Sequence, residues 1–524
     1  MTGDSESPPC DPVAITPFKP ASWKLNRQGG ESLLKHLFLH PEVAKGRDGH
    51  VAADSGKGIK MKDFHGMVGG DHYSLADMMF SQNPACRNLQ KLGVTCLVIL
   101  KVMLSPLLVK AASPAKDPAP EAVNQALGIQ LFSPENLWDE SDQSVAKRLG
   151  LPRESLTSVE SGFRTYQQNF ILGVKSYSLF LQGKAGKVAA VAILFANKGD
   201  VATYATTQDQ QGIIRAAAIT KQTKEYHIYI SPQMLEAYRS AIRHDQEEIR
   251  HQMEGLFGES KPATLGANVV MQEQGECWDW KGVSFFLAAP RNEYIVLRLL
   301  PSSSFEKSDA DREAFQKSKE LLPGRVKHFP NGDVVITDIP MVNQGPKGYC
   351  VPATFERVLR YYGLQADMNL LANGGQTAAG GGTWLSDICN ASYLVVAHAG
   401  GKVTRGMSGV RIADVAPYID KGEPVIWQLS SSKEFNSRAN QRTKDRQHVA
   451  DWNEWKEKVL EPARAQSSQL AESFDYHVGL IIGYNRSTGE LAISDSWGPA
   501  YEKRWITQEE AIAVSKGETS VIGW

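Results

Sequence analysis

Beyond about residue 125, apolar positions recur with helical or strand spacing, whereas residues 1–77 show no sustained apolar periodicity and are rich in Gly, His, Asp and Lys. Ser133-Pro134-Glu135 reads as a helix start with Pro in the first turn, and helical spacing continues from Ser141 to Leu149. Tyr177–Gln182 and Val188–Phe195 flank Gly183–Lys187 and predict a hairpin. Pro232–Leu256 reads as a long charged helix with an apolar set at Met234, Leu235, Tyr238, Ile242 and Ile249. Val283–Ala288 and Tyr294–Leu299 predict a second strand pair around Pro290-Arg291-Asn292. Farther on, Asp333–Ile339 reads as a strand ended by Pro340. After Cys350, the residues Val351, Phe355, Val358, Leu359 and Tyr362 share one helical face, and Gly363 stops the helix.

One segment departs from this pattern. Leu92–Val109 is almost continuously apolar, is preceded by Arg87 and Lys91, and exits through the small residues Ala111 and Ala112. Those are the parts of an export signal, and the Ser/Pro/Ala stretch SPAKDPAPEA behind it suits a linker. Lys101 and Pro106 interrupt the run, which fits a permanent membrane helix less well. A membrane anchor and a buried core helix are the alternatives. Because such signals begin a chain, Met78 or Met79 is the expected natural start, with the upstream stretch an over-extended reading frame. The expected organisation is therefore an N-terminal segment (1–77), a signal-like segment (78–112), a mixed α/β domain (113–330) and a C-terminal domain (331–524). The expected location is outside the cytoplasm, periplasmic or extracellular, with no stable membrane span after cleavage.

Length alone makes more than one core the natural expectation for 524 residues. Lys and Arg (57) nearly cancel Asp and Glu (58), so no global basic field recruits nucleic acid. The cysteines are Cys10, Cys86, Cys96, Cys277, Cys350 and Cys389; none forms a CxxC pair or a zinc-like spacing. No cofactor or metal is implied. In an exported chain Cys277 and Cys389 could pair, although two ordinary buried thiols is the favoured reading. Trp278 and Trp280 alternate in CWDWKGVSFF, a pattern of one packed strand face more often than of a ligand surface.

Chemistry concentrates in the C-terminal third. Cys350 falls at the start of its helix, where unpaired amides and the positive helix end favour a thiolate. Gln344, six residues earlier, can offer a side-chain amide to an oxyanion alongside the amide of Cys350. Of the histidines that follow, His477 opens the alternating run HVGLIIGYN, and the strand ELAISDS returns after Asn485–Gly489. Asp495 thereby comes close to His477 and can accept its second N–H; His398 and His448 have no such arrangement.

The order Gln344, Cys350, His477, Asp495 and then Ser496-Trp497-Gly498 resembles the papain-like cysteine peptidases. The run GYCVPATFERVLRYYG is most similar to their bacteriocin-leader-processing branch and its stand-alone bacterial relatives. The resemblance covers about Asp333–Trp524. It implies an α+β class in which a helix bearing Cys350 packs on an antiparallel sheet, preceded by a separate mixed α/β domain. It further implies Cys350 as nucleophile, His477 as general base and then acid, Asp495 as its orienting carboxylate, Gln344 as oxyanion donor and Trp497 as a shield over the His–Asp bond. The departures are Asp where papain has Asn, and Val351 after the cysteine, a larger residue than usual there that is expected to narrow the cleft. No transporter sequence is attached, so a double-glycine leader substrate is not implied.

Within that frame, Gly348 and Tyr349 precede the nucleophile, and Gly381, Gly382, Thr383 and Trp384 fall near a cleft wall, a merely flexible surface loop being the alternative; with Trp497 they form the expected substrate-binding set. The polar segment Ser430–Asp475, just before His477, is expected either to form a lid or to pack against the domain. The function expected is an exported cysteine peptidase that hydrolyses peptide bonds through a thioester acyl-enzyme. An acyl transferase with the same triad and a silent peptide-binding module are the alternatives. The partner is a peptide or protein substrate, and the oligomeric state is not legible.

Overall fold

The computed structural model of the chain describes residues 117–200, 217–219, 226–228, 232–266, 272–305, 310–379, 382–406, 409–472 and 476–524, all within one compact unit. The signal-like run Leu92–Val109, the segment before Met78, and Cys10, Cys86, Cys96 and Gly381 lie outside these residues. Among the described residues no helix is long and apolar enough to cross a membrane.

Two antiparallel sheets of eight strands organise the described chain. The first comprises β1 (Arg153–Leu156), β2 (Glu160–Thr165), β3 (Ser178–Lys184), β4 (Lys187–Asn197), β5 (Lys261–Leu265), β6 (Glu273–Trp280), β7 (Val283–Ala288) and β8 (Tyr294–Pro301), in the order β1-β2-β3-β4-β8-β7-β6-β5. The expected hairpin between β3 and β4 turns at Ala185 and Gly186, both at positive φ (50° and 76°), which matches the twist of the two strands. Helix α1 (Pro232–Phe257) buries Tyr238, Ile242, Ile249, Met253 and Phe257 in the core of this sheet. Trp278 and Trp280 belong to that core, their indoles donating to the carbonyls of Gly258 and Pro118 at 3.0 Å each. No helix starts at Ser133. The side chain of Asn124 binds the backbone of Leu131 and Phe132, and the segment is spent on placing Leu131, Phe132 and Leu137 in the core.

The second sheet comprises β9 (Val326–His328), β10 (Asp333–Ile336), β11 (Lys402–Arg405), β12 (Val425–Ser430), β13 (Tyr476–Asn485), β14 (Glu490–Ser494), β15 (Arg504–Thr507) and β16 (Ser515–Gly523). Its order is β9-β10-β13-β12-β16-β11, with β14 pairing β13 and β15 pairing β14. Helices α2 (Cys350–Tyr361) and α3 (Leu385–His398) pack on it. β10 ends at Ile336, before the expected Ile339, because Asp338 adopts φ 63° and its carboxylate holds Ser158 of the first-sheet region. The chain thus has the expected α+β class.

Helix α2 stops where expected. Gly363 takes φ 80°, its N–H reaches the Arg360 carbonyl, and the N–H of Leu364 reaches that of Leu359, a Schellman closure. The helix has no solvent face, however: every residue from Val351 to Tyr361 is buried. Its apolar side faces the second sheet. Its charged side faces the first: Arg360 donates to Glu160 of β2 at 2.7 and 3.1 Å and to Glu356 at 2.9 Å, while Glu356 also accepts the Met368 amide at 2.7 Å. Burial pushes the Glu356 carboxyl up to about 7, against the pull of Arg360.

Candidate active site

Cys350 is the first residue of α2 and is partly exposed. Three polar residues on this helix share a stripe at helical spacing. Cys350 bonds His477; Thr354 donates to the Val478 carbonyl at 3.1 Å; Arg357 donates to the Pro340 carbonyl at 2.9 Å and to Ser494 Oγ at 2.5 Å. The stripe locks the helix to the strands that carry the other candidate residues.

His477 is the second residue of β13 and sits opposite Leu429 of β12. Asp495 follows the last residue of β14, whose Ser494 pairs with Leu480 of β13. This register sets Asp495 against Gly479, where a Cβ would come within 2.9 Å of the carboxylate. Only glycine leaves room for it. His477 Nε2 lies 2.8 Å from Asp495 Oδ1, which turns the other ring nitrogen to the sulfur. Asp495 Oδ2 accepts a short bond from Arg504 of β15. The ring of Trp497 stacks on His477 with centroids 4.3 Å apart and planes at 28°.

Electrostatics follows from this arrangement. Burial opposes the Cys350 thiolate, but the bond and charge of His477 and the backbone amides of Val478 and Val351 outweigh it, so the thiol lies below its ordinary range. Burial likewise opposes a charged His477, yet the Asp495 and Cys350 partners push it up to about 9. Asp495 is held well below the carboxylate range despite its burial, chiefly by Arg504 and His477. Both shifts act in favour of a thiolate–imidazolium pair.

Gln344 lies in the loop before α2. Its backbone N–H reaches the Ser496 carbonyl at 2.9 Å, its Nε2 donates to the Lys347 carbonyl at 2.8 Å, and one amide hydrogen is left over. The preceding residue, Asn343, is held from the first-sheet region: its N–H by Glu154 Oε1 at 2.7 Å, its carbonyl by the Tyr166 hydroxyl.

The expected substrate-binding set is not all brought to one place. Gly348 and Gly382 meet, the Gly382 N–H donating to the Gly348 carbonyl at 3.0 Å, so that amide is already used. Thr383 Oγ1 is 2.6 Å from Thr377 Oγ1, and Trp384 is 61% exposed beside the start of α3. Tyr349 is corrected: its ring is buried, its hydroxyl accepts the Gly199 N–H at 3.2 Å, and Lys347 Nζ stands 4.5 Å over it. It faces the first-sheet region and not a cleft. Val351 likewise lies in the core. Trp497 and Tyr501 line a groove of about 420 Å³ together with Lys433, Asn436, Ser437 and Asn440. Among the described residues Cys277, Cys350 and Cys389 form no disulfide.

Four residues of this site went unread in the sequence: Thr354, Arg357, Gly479 and Arg504. Thr354 and Arg357 carry a usable signal, since they lie four and seven positions after Cys350 on its own helical face. Gly479 and Arg504 depend on strand register, which no local pattern fixes.

Residues 336–515 match the Peptidase_C39 like family. The peptidase domain of Streptococcus ComA, described as a bifunctional ABC transporter involved in a quorum sensing pathway, aligns with 15% identity over 35% of this chain and 96% of its own, with a TM-score of 0.23. Comparison with curated proteins gives no significant match. The region holding Cys350, His477 and Asp495 is thus similar to the Peptidase_C39 like family, which supports a cysteine peptidase-type function.

Proposed function

We propose that the chain is an exported cysteine peptidase that hydrolyses peptide bonds with Cys350, His477 and Asp495, the observation carrying this being the 2.8 Å His477–Asp495 bond in line with Cys350 at a helix start. The thiolate of Cys350 attacks the scissile carbonyl carbon, and the electron pair moves to the oxygen. The backbone N–H of Cys350 and the free amide hydrogen of Gln344 receive that oxyanion. As the C–N bond breaks, the His477 imidazolium gives its proton to the leaving amine, and a thioester remains on Cys350. His477 then takes a proton from water, whose oxygen attacks the thioester; the acid leaves and the thiolate–imidazolium pair returns. Asp495 keeps the ring oriented throughout and stabilises its charged form, and Trp497 covers their bond.

The division into residues 113–330 and 331–524 belongs to the same reading; the first sheet lies within the former, and every strand of the second except β9 lies within the latter. Export rests on the apolar run Leu92–Val109 and its flanks; a natively produced chain kept in the cytoplasm with that run uncleaved would refute it.

The test uses the chain carrying both sheets. It is treated with iodoacetamide from pH 4 to 9, the modified cysteine is located by mass spectrometry, and cleavage of a diverse peptide pool is followed in parallel. Fast labelling of Cys350 well below pH 8, slowed in His477→Ala, with cleavage lost in Cys350→Ala, is the expected result. An ordinary thiol profile at Cys350 would overturn the proposal.

A further inference from the structure

Helix α4 (Lys433–Arg446) lies in the polar segment expected to be a lid or a packing element. Its contacts are those of a fixed support. Ser432 caps it; Phe435 and Ala439 are buried. Arg442 pairs with buried Glu510, Arg446 pairs with Asp333 at 2.6 and 2.8 Å and with Glu490 at 3.1 Å, and Thr443 Oγ1 accepts the Trp505 amide at 2.8 Å. Three ties to the second sheet leave this helix no freedom to swing.

On its remaining face α4 presents two amides, one turn apart, to a single cation. Asn436 Oδ1 and Asn440 Oδ1 accept from the same Arg504 nitrogen at 2.9 and 3.0 Å. The orientation of Asn436 is set from its other end, where Nδ2 donates to Ser431 and Ser432 at the helix start. Arg504 is 1% exposed, and its second terminal nitrogen binds Asp495 Oδ2, the oxygen that His477 does not use. Its guanidinium also stands 5.1 Å from the Tyr501 ring centre and 5.5 Å from that of Trp497. The amides, the cation, the carboxylate and the imidazole form one line ending at the sulfur.

We infer that Arg504 is a positioning residue for Asp495, and that α4 aims it through Asn436 and Asn440. This inference rests on the peptidase reading. Without Arg504, Asp495 could rotate about its side chain and use either oxygen for His477. Arg504 occupies one oxygen and leaves the other aligned. Its fixed charge also lowers the negative potential that Asp495 exerts on the sulfur. The charged groups facing this cluster are His477 from β13, Arg357 from α2, which itself feels Asp495 and Glu502, and Lys433 at the start of α4.

The test is the pH dependence of Cys350 alkylation in the full chain, because the mere loss of a structural contact does not move a titration. Removing the cation makes the surroundings of the sulfur more negative, so thiolate formation requires higher pH. In Arg504→Gln the acid limb is expected to move up by about one pH unit, and in Arg504→Lys, which keeps the charge, to stay near the wild-type position. Asn440 is exposed, so Asn440→Asp folds whatever becomes of Arg504→Gln. Its new carboxylate competes with Asp495 for Arg504 and is expected to move the limb the same way by less. An unmoved limb in both Arg504→Gln and Asn440→Asp, with an activated wild type, overturns this inference alone. An ordinary thiol profile in the wild type overturns it together with the reading beneath it.

Discussion

Replacing Asp495 by Asn removes one charge from a buried line of groups and changes almost no volume. Two effects are expected, and they separate. The rise of His477 from 6.5 to about 9 corresponds to about 3 kcal/mol favouring the imidazolium. Asp495 shares that with Cys350, so its loss removes roughly half, or about tenfold in the ratio of the thiolate–imidazolium pair to the thiol–imidazole pair. Stability falls as well, because Arg504 is left as a buried cation without its anion. Breaking such a pair from one side costs about 3–5 kcal/mol. The lower end applies here, since Asn436, Asn440 and the new amide oxygen still accept from the guanidinium. Asp495 is depressed in the folded chain, so its stabilising contribution is present above the unfolded carboxylate range and is lost only as pH falls below it. At pH 7 the full difference is therefore visible. Urea unfolding reads the stability, and iodoacetamide labelling from neutral to mildly alkaline pH reads the reactivity. The double change Asp495→Asn with Arg504→Gln removes the unpaired cation and is expected to recover most of the stability while labelling stays slow. A single Asn variant as stable and as reactive as the wild type would refute the reasoning.

Two further outcomes follow from the structure. Gly345→Ala places a Cβ 2.8 Å from the Tyr166 ring at a backbone with φ 72°, a conformation that costs a side-chain-bearing residue about 1–2 kcal/mol. The loop bearing Gln344 shifts while the Cys–His pair does not, so peptide turnover is expected to fall by up to roughly 100-fold with near-normal alkylation; equal loss in both assays would count against a separate role for the loop. Glu356 titrates near 7 when folded and near 4.5 otherwise, so the folded chain holds the extra proton between those values and loses stability as pH rises through them. Relative to the wild type, Glu356→Gln is expected to gain up to about 3 kcal/mol on going from pH 5 to pH 8 in urea unfolding, and parallel pH profiles would contradict it.

What the sequence revealed and concealed has a consistent physical cause. The α2 start at Cys350, its end at Gly363, the His477 strand and the return of Asp495 all rest on periodicity and turn chemistry within about twenty residues. Local pattern suffices for them. Glu356 and Arg360 look like a solvent face by the same rule, and their burial depends on Glu160, a strand residue 200 positions away. Tyr349 looked like a cleft residue because it precedes the nucleophile, but its ring is claimed by Gly199 of the other sheet region. Arg504 gave no sign at all, since its meaning comes from two asparagines on a helix more than sixty positions earlier. Long-range charge pairing is invisible to spacing.

The helix that carries Cys350 has neighbours on every side, and that binds the two sheets together. A change at Arg360 strands Glu160, and a change at Glu160 strands Arg360 in the path of Glu356. Positions 160 and 360 are therefore physically coupled, and so are Glu154 and Arg164 behind Asn343. A C-terminal region joined to a different leading sheet would inherit a charged helix face with nothing to answer it.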